Sequence, residues 1–389
     1  MNLPFIQKDV RRLRQLPSPE PAAGLDAYRR ERRLALARSP RRLWNFTKYR
    51  LYGRRAAAIP YLPIKLDIEN ISRCNFRCTT CQVSDWKQGK RAGDMSLDDF
   101  RRLLDEQYGL VEIKLQGMGE PLMQGDEFFK MIRLARERRI WVRTVTNGSL
   151  LHLKDNFKKL IDSDVNEVQI SIDGAKKSTF ESIRRGADFE TVLDNCRRIN
   201  AYCRERGIRR TKMWTVVQRA NERELPELVD LAADLGFSTQ VFALNLVDWG
   251  NTIWRARNDA VSVLRDFRLD VARGLIERGR IRGVKVQFWT AVERFQTGSP
   301  KTICPWPFER AFVSSDSRVV PCCVIANPDN FELNGAKGFA GIWKGSDYKS
   351  FRQAHLGGAI PDVCKSCYET RTLVAETEPV STPVSCSGF

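Results

Sequence analysis

Cysteine residues at tight spacing are the most chemically informative feature of this 389-residue sequence. Three of them form the motif Cys74-x3-Cys78-x2-Cys81, directly after a short run of β-forming residues at 64–71. Three thiolates on one loop can hold three irons of a [4Fe–4S] cluster and leave the fourth iron open to a small molecule. A structural zinc is the alternative, but zinc prefers four ligands in a closed site and no fourth ligand lies nearby. We therefore predict an open iron–sulfur site on this loop.

A second group of cysteines lies toward the C-terminus and comprises Cys304, Cys322, Cys323, Cys364 and Cys367. The segment AFVSSDSRVVP between them predicts a β-hairpin with its turn at 315–317. Thiolates from such a hairpin and from the C-x2-C loop would form a closed site for a [4Fe–4S] cluster or for zinc. Adjacent strand residues point to opposite faces, so either member of the Cys322–Cys323 pair can be the ligand.

Composition excludes several other classes of protein. The chain has 11 Cys, an odd number, and its N-terminus lacks the apolar run of a secretory signal, so the cysteines favour metal binding over disulfides. Only two His occur, which argues against a His-rich metal site. Disorder is excluded by a hydrophobic content of 42%, and no apolar stretch is long enough to span a membrane. We expect Cys196 and Cys203 to be core thiols and Cys386 to be a spare thiol in the tail.

The cysteine loop must be positioned by a repeating pattern of strands and helices. Amphipathic helical segments, the first capped by Ser96, alternate with six β-rich runs, at 64–71, 111–117, 141–147, 167–173, 212–218 and 239–246. Such alternation predicts βαβ units, hence an α/β fold with a parallel sheet in a partial (β/α)6 TIM-type barrel. In barrels of this kind the chemistry takes place at the C-terminal ends of the strands.

The remaining segments suggest further divisions of the chain. We predict a basic helical N-terminal segment at 1–58, the core barrel at 59–250 and a linking helix and strand at 251–300. The linking helix is expected to be long and charged and to cover roughly 255–280. An auxiliary domain of a hairpin plus helix is predicted at 301–372, and a flexible tail at 373–389.

Positive charge is concentrated in the N-terminal segment. Of the net +18, residues 1–60 carry 15 Lys and Arg against 4 Asp and Glu, a net of +11. Trp44, Phe46 and Tyr49 interleave with these cations. The pattern is compatible with a membrane-surface helix, with binding of an anionic partner, with a solvated arm, or with packing across the barrel. Because the rest of the chain is only mildly basic, we expect no sequence-specific binding of nucleic acid.

The Cys74–Cys81 motif after a first barrel strand resembles the signature of the radical S-adenosylmethionine (radical SAM) superfamily. Thr80 departs from the bulky residue usual before the third cysteine. The sequence QGMGEP at 116–121 resembles the family's GGEP motif, in which Glu120 would bind the methionyl ammonium. The resemblance implies a cofactor pocket formed by Gly117, Gly119, Glu120, Asn147, Ser171, Asp173, Arg184 and Asn221.

The C-terminal cysteines resemble the SPASM/twitch extension of that superfamily. Full SPASM domains have more cysteines than are found here, so we predict one auxiliary [4Fe–4S] cluster. Its expected ligands are Cys304, Cys322, Cys364 and Cys367. Radical epimerases use a cysteine as a hydrogen-atom donor, and Cys323 is our candidate for that catalytic role.

The resemblance implies reductive cleavage of S-adenosylmethionine to a 5′-deoxyadenosyl radical that abstracts hydrogen from a substrate carbon. We predict epimerisation or dehydrogenation of a carbohydrate-type small molecule, such as a sugar or an aminocyclitol. Radical modification of a peptide or protein is the alternative among enzymes, and a non-catalytic iron–sulfur electron carrier is the alternative of another class. The expected reducing partner is a flavodoxin or ferredoxin. The expected location is the cytoplasm, with peripheral attachment to the inner face of the membrane as an option.

Overall fold

Strands and helices alternate along the chain in a computed structural model, which describes residues 10–335 and 338–369. The strands are β1 Lys65–Ile68, β2 Arg77–Cys78, β3 Glu112–Leu115, β4 Trp141–Thr146, β5 Glu167–Ser171, β6 Arg184–Arg185, β7 Thr211–Val216, β8 Thr239–Ala243, β9 Lys285–Trp289, β10 Arg310–Val313 and β11 Val319–Val320. The predicted flexible tail and Cys386 lie outside the described residues.

The helices lie between these strands and at both ends of the described chain. They are α1 Leu25–Ala37, α2 Pro40–Tyr52, α3 Leu97–Glu106, α4 Asp126–Glu137, α5 Asn156–Asp162, α6 Lys177–Ile183, α7 Phe189–Glu205, α8 Leu225–Asp234, α9 Thr252–Val261, α10 Leu269–Arg282, α11 Trp306–Glu309, α12 Phe339–Lys344 and α13 Ser346–Leu356. Ser96 caps α3 as predicted, since its hydroxyl accepts a hydrogen bond from the Asp99 amide at 3.0 Å. Within the described residues, none of the helices is both long and apolar enough to cross a membrane.

One nine-stranded sheet carries the architecture, in the order β11-β10-β1-β3-β4-β5-β7-β8-β9. Neighbouring strands are parallel except for the antiparallel β10–β11 hairpin, which confirms the predicted α/β class. The sheet is larger than the six strands predicted. β9 extends one end of it, and the hairpin joins the other end, where β10 pairs with β1.

The linking helix expected over 255–280 is broken, and that prediction was wrong. α9 ends at Val261, Ser262 has extended backbone, and α10 begins only at Leu269. Between the two helices, Val263, Leu264 and Phe267 are buried in the core. Burial of these three apolar side chains outweighs the continuation of the helix.

The strands of the sheet present opposite polarity on their two faces. Alternate residues such as Leu66, Ile113 and Ile170 are fully buried against the helices. The intervening residues line a central cavity, and many of them are charged, including Asp67 and Glu112. Since side chains alternate between faces along a strand, the sequence of each strand alternates between apolar and polar residues.

The N-terminal segment packs across the end of the barrel at which the strands begin. The Tyr28 hydroxyl donates to Glu112 at 2.8 Å, and the Arg42 guanidinium donates to the Arg138 carbonyl at 2.9 Å. Val10 and Leu13 are buried in the main core. Packing across the barrel, one of the four alternatives predicted for this segment, is therefore observed.

Candidate active site

The first cysteine loop is held in place by two short strands. β2, which contains Cys78, pairs antiparallel with β6, so that Cys78 lies opposite Arg184. The Glu120 amide donates to the Arg73 carbonyl at 2.9 Å and fastens the loop to the turn that follows β3. This pairing brings a guanidinium beside the thiols although the two residues lie more than 100 positions apart in the chain.

The glycines of the QGMGEP turn serve this loop-to-loop contact. A Cβ on Gly119 would lie 2.5 Å from the carbonyl oxygens of Ile71 and Arg73, and one on Gly117 would lie 2.1 Å from Cγ of Glu69. Both positions therefore require glycine for packing between loops. Both also line the central cavity, as the prediction of a cofactor pocket requires.

The three thiols of the loop fit an open iron–sulfur site. Burial raises the pKa of Cys74 to about 12, and burial followed by the nearby Cys78 thiol raises the pKa of Cys81. The three sulfurs thus lie close enough to influence one another. Cys74 and Cys81 line the cavity together with Cys78, so an iron without a protein ligand would face the cavity.

Glu120 sits beside this loop within a network of hydrogen bonds. Its carboxylate accepts from the Thr146 hydroxyl and from the Asn147 amide, each at 2.7 Å. Burial raises the pKa of Glu120 to about 7, against the lowering effect of these donors. The Asn147 side chain in turn donates to Asn75 at 2.9 Å and lies 3.9 Å from the sulfur of Cys74. A carboxylate and an amide therefore flank the thiols.

Arg184 and Asp173 form an ion pair on the same wall, 2.7 Å apart. Burial lowers the pKa of Arg184, but Asp173 and the nearby thiols outweigh this and raise it. Its Nε atom is buried without a hydrogen-bond partner among the described residues. An orphaned guanidinium nitrogen in a cavity wall fits an anionic group such as the carboxylate of S-adenosylmethionine. Ser171 also lines the cavity.

Asn221 is placed differently from the other predicted cofactor residues. Its side chain donates to the carbonyls of Asp173 and Val216 at 2.8 and 2.9 Å and accepts from the Gln218 amide at 2.9 Å. It is fully buried and is not among the residues that line the cavity. These bonds use all of its polar groups to hold the loop after β7.

The second thiol site is assembled from three distant parts of the chain. Burial raises the pKa of Cys304 well above its usual value, and the thiols of Cys367 and Cys322 raise it further. The Cys364 thiol is likewise affected by burial and then by Cys322, Cys304 and Cys367. Four mutually close thiols fit a closed site for a cluster. The hairpin turn is present as predicted, with Ser317 in the left-handed region at φ 63°.

Tyr368 and His355 support this second site from outside the set of thiols. The Tyr368 hydroxyl accepts a hydrogen bond from the Cys304 amide at 2.9 Å and contacts Nδ1 of His355 at 2.7 Å. Burial lowers the pKa of His355 to about 4, so its imidazole is neutral at pH 7. The sequence offered no motif for either residue.

Cys322 and Cys323 face different surroundings. Cys322 is a neighbour of both Cys304 and Cys364, whereas Cys323 influences only Cys367 of that set. After burial, the main influence on the pKa of Cys323 is Asp67, and Lys114 is also close. This arrangement favours Cys322 as the ligand and directs Cys323 toward the barrel interior.

The barrel interior contains charged residues that are further candidates for a functional role. We did not predict such a role for them from the sequence. Lys114 lines the cavity, and burial lowers the pKa of its ammonium group. It has no carboxylate within ion-pair distance among the described residues, whereas Arg143 pairs with Glu112 at 2.7 Å and Arg310 with Asp67 at 3.2 Å. Charges at every second position of β1 and β3 were the available signal.

One cavity of about 1070 Å³ joins the two thiol sites. Its wall includes Cys74, Cys78 and Cys81 from the first site and Cys304, Cys322 and Cys367 from the second. Within residues 10–335 and 338–369, no three His, Cys, Asp or Glu side chains converge on a single metal ion. A four-iron cluster instead takes one thiolate for each iron.

Comparison with known proteins gives matches along most of the chain. The sequence profile of the Radical SAM superfamily matches residues 68–232, and that of the SPASM iron-sulfur cluster-binding domain matches residues 304–368. The PqqA peptide cyclase of Granulibacter bethesdensis is 23% identical over 78% of this chain and 79% of its own length. The mycofactocin maturase MftC of Mycobacterium tuberculosis is 25% identical over 78% of this chain and 75% of its own length.

A similar fold occurs among solved structures. Streptococcus suis SuiB, crystallised with the precursor peptide SuiA, aligns with a TM-score of 0.59 at 14% identity. The alignment covers 79% of this chain and 69% of the SuiB chain. At this level of identity the likeness concerns the fold, and it agrees with the parallel sheet and the thiol-bearing C-terminal region described above.

Proposed function

The chain belongs to the radical SAM superfamily and carries an iron–sulfur SPASM domain, and from this premise we propose that it forms a covalent crosslink within a peptide substrate. Membership brings S-adenosylmethionine, a [4Fe–4S] cluster and auxiliary iron–sulfur binding as its cofactors. When bound, these groups supply a carbon radical that can abstract hydrogen from an unactivated C–H bond. An enzyme is therefore the appropriate class, in place of a non-catalytic electron carrier.

Modification of a peptide replaces modification of a carbohydrate-type molecule as the preferred hypothesis. Two relatives that align over more than three quarters of this chain are named for a peptide cyclase and for a maturase. We predicted from the sequence the epimerisation or dehydrogenation of a sugar or an aminocyclitol. Neither of these two relatives is named for such a reaction.

The observation that carries the proposal is the single cavity shared by both thiol sites. At about 1070 Å³, a volume that the clusters and S-adenosylmethionine would share with the substrate, it slightly exceeds the usual range for small-molecule sites. Crosslinking two groups of a peptide removes two hydrogen atoms. One hydrogen leaves with 5′-deoxyadenosine, and the remaining electron and proton need an acceptor within reach. The four-thiol site on the same cavity would hold a group that takes the electron.

Side chains of the cavity wall would bind S-adenosylmethionine and position the groups around it. Glu120, when ionised, would bind the methionyl ammonium, and Arg184 would bind the methionyl carboxylate through its unpartnered Nε. Asn147 would fix the position of Cys74 and of Glu120 through the hydrogen bonds described above. Cys323 offers an S–H group at the cavity wall, and this is the group required if the reaction is epimerisation.

Anaerobic assay of the reconstituted full chain tests the proposal. The probes are the short peptides encoded beside its gene, supplied with S-adenosylmethionine and dithionite in deuterated buffer. Crosslinking predicts loss of two hydrogen atoms from one peptide, with formation of 5′-deoxyadenosine that depends on that peptide. A gain of one carbon-bound deuterium, with no net loss of hydrogen from the peptide, would indicate epimerisation instead. If sugar nucleotides stimulated the formation of 5′-deoxyadenosine and no peptide did, a carbohydrate-type substrate would again be the preferred hypothesis.

A further inference from the structure

The helix α2 buries two polar side chains and leaves several large apolar side chains exposed. It buries Arg42 and Asn45, which are 6% and 3% exposed, and it exposes Leu43 and Trp44, which are 47% and 58% exposed. The Asn45 side chain exchanges hydrogen bonds of 2.9 and 2.8 Å with the backbone of Leu62. A helix at a water interface normally turns its apolar face inward, so this arrangement requires an explanation.

Polar contacts fix α2 in this orientation. The buried Arg42 guanidinium donates to the carbonyls of Ala35, Tyr108 and Arg138 at 3.1, 3.3 and 2.9 Å. Rotating the helix to bury its apolar residues would leave these carbonyls and the guanidinium without partners. That loss is costly for buried polar groups, so the apolar face is held outward.

The outward side of α2 carries large apolar side chains, with Thr47 and Lys48 between them. Leu43 and Leu51 lie on the same face of α2, and Trp44 and Tyr52 repeat the same spacing beside them. Leu51 is 60% exposed and Tyr52 is 47% exposed, while Leu34 of α1 contributes a further 45%-exposed side chain. We call this set, Leu34, Leu43, Trp44, Leu51 and Tyr52, the α1–α2 face.

Most cations of α1, α2 and the residues next to them have no acidic partner within the part of the chain that the structure describes. Residues 24–58 contain 11 Lys and Arg but only two acids, Asp26 and Glu31. Both acids are engaged, with Arg29 at 3.2 Å and with Arg136 at 3.0 Å. Exposed cations that pair with no described residue include Arg30, Arg33, Arg38 and Arg50. Exposed cations therefore lie among and beside the apolar side chains of the face.

We propose that the α1–α2 face binds the surface of an anionic lipid bilayer. Leucine and tryptophan side chains insert at the boundary between headgroups and acyl chains, while arginines contact the headgroup phosphates. Tryptophan and tyrosine rings suit this depth because they combine an apolar body with a polar edge. The match of positive charge and of exposed Leu, Trp and Tyr side chains favours lipid over an acidic protein or a second copy of the chain.

Membrane binding through this face would leave the active site directed away from the lipid. The hairpin of α1 and α2 contacts the chain just before β3 and β4, through the carbonyls of Tyr108 and Arg138. The cysteine loop follows the opposite end of β1. The proposal is thus independent of which substrate the enzyme uses, and a peptide could still approach from the aqueous side.

Vesicle co-sedimentation with the full-length reconstituted protein tests the proposal. We expect the protein to pellet with vesicles of phosphatidylcholine mixed with phosphatidylglycerol and to remain in the supernatant with phosphatidylcholine alone. Added salt should weaken the binding because the cations are exposed. Equal partitioning onto neutral and anionic vesicles, or onto neither, would overturn the proposal.

Variants of the exposed apolar residues give a matched comparison. The double substitution Trp44→Ser/Leu51→Ser should reduce partitioning by roughly tenfold or more, since it removes two large apolar side chains from the interface. Ile253→Ser/Ile281→Ser is the control, because these residues are 63% and 69% exposed on α9 and α10. Equal losses in both variants would contradict the assignment of the face.

Charge reversal separates lipid from other occupants. Arg30→Glu/Arg50→Glu should weaken binding to anionic vesicles by roughly tenfold or more, whereas Arg223→Glu/Arg273→Glu, at exposed positions outside the face, should have little effect. Light scattering on the same samples measures oligomeric state. A wild-type dimer that Trp44→Ser/Leu51→Ser converts to monomer, without vesicle binding, would assign the face to a second copy of the chain and refute the lipid proposal.

Discussion

The two thiol sites on the shared cavity are built in opposite ways. The first takes all three of its cysteines from one loop, Cys74–Cys81, and is flanked by ionisable groups such as Glu120 and Arg184. The second draws four cysteines from positions between 304 and 367 and is supported by Tyr368 and the neutral His355. The first site is therefore built from one loop beside ionisable groups, and the second from four buried thiols that distant parts of the chain bring together.

This difference indicates a division of labour. An iron without a protein ligand, next to a carboxyl group and a guanidinium, suits the binding of a zwitterionic small molecule. Four thiols in a buried setting leave no open position on a cluster, so the second site suits storage and transfer of an electron. The predictions that follow test this contrast, beginning with the change of largest effect.

Removing a cysteine of the open site should abolish the chemistry. We expect Cys78→Ala to eliminate formation of 5′-deoxyadenosine, because the loop would then supply only two ligands. Iron content should fall by about half, since the closed site keeps its cluster. Iron assay and chromatography of the nucleoside product measure both effects. Cys196→Ala, which changes a buried thiol in α7, is the control, and full activity of Cys78→Ala would refute the ligand assignment.

Separate substitutions of the adjacent residues Cys322 and Cys323 should show which of them is a ligand of the closed site and which belongs to the cavity wall. Cys322→Ala should lose about half of the iron and retain cleavage of S-adenosylmethionine without productive turnover. Cys323→Ala should keep the full iron content, because Asp67 is the first influence on its thiol after burial and Cys304 and Cys364 do not act on it. The reverse pattern of iron loss would make Cys323 the ligand and remove its assignment as a hydrogen-atom donor.

Much of the open site could be predicted from the sequence, because its ligands are local. Spacing alone placed Cys74, Cys78 and Cys81 on one loop after a strand, and the structure confirms that arrangement. The position of Arg184 beside Cys78 depends on the pairing of β2 with β6, which is a tertiary contact without a signal in the spacing. Asn221 is an example of the opposite kind. The family resemblance placed it in the cofactor pocket, but its side-chain hydrogen bonds hold the loop after β7.

The closed site and the fold around it were less predictable for the same reason. The sequence could not decide between Cys322 and Cys323, because the choice depends on which face of the hairpin meets the C-x2-C loop. It gave the strands of the barrel but neither the joining of β10 to β1 nor the break before Leu269. In both cases the structure depends on burial against residues that are distant in the chain. A local sequence pattern does not contain this information.

Binding of S-adenosylmethionine should depend on pH through the open site alone. The carboxyl group of Glu120, with its pKa at about 7, is mostly neutral below that pH and charged above it. Since only the carboxylate attracts the methionyl ammonium, affinity should rise about tenfold between roughly pH 6 and pH 8. Isothermal titration over this range measures the trend. Glu120→Gln should bind weakly and without this dependence, and a flat profile in the wild type would exclude the role assigned to Glu120.

The smallest expected effect concerns the support of the closed site. Tyr368→Phe removes the hydroxyl that accepts from the Cys304 amide at 2.9 Å and leaves a buried donor unpaired, a cost of about 1–3 kcal/mol. In a chain of this size such a loss lowers the melting temperature by a few degrees, which calorimetry of the reconstituted protein can resolve. Tyr348→Phe is the matched control, because the Tyr348 hydroxyl is buried without a partner among the described residues and its removal should cost nothing. Equal melting temperatures for the two variants would show that the contact of Tyr368 with Cys304 does not stabilise the closed site, and the contrast between the two sites would then rest on the thiols alone.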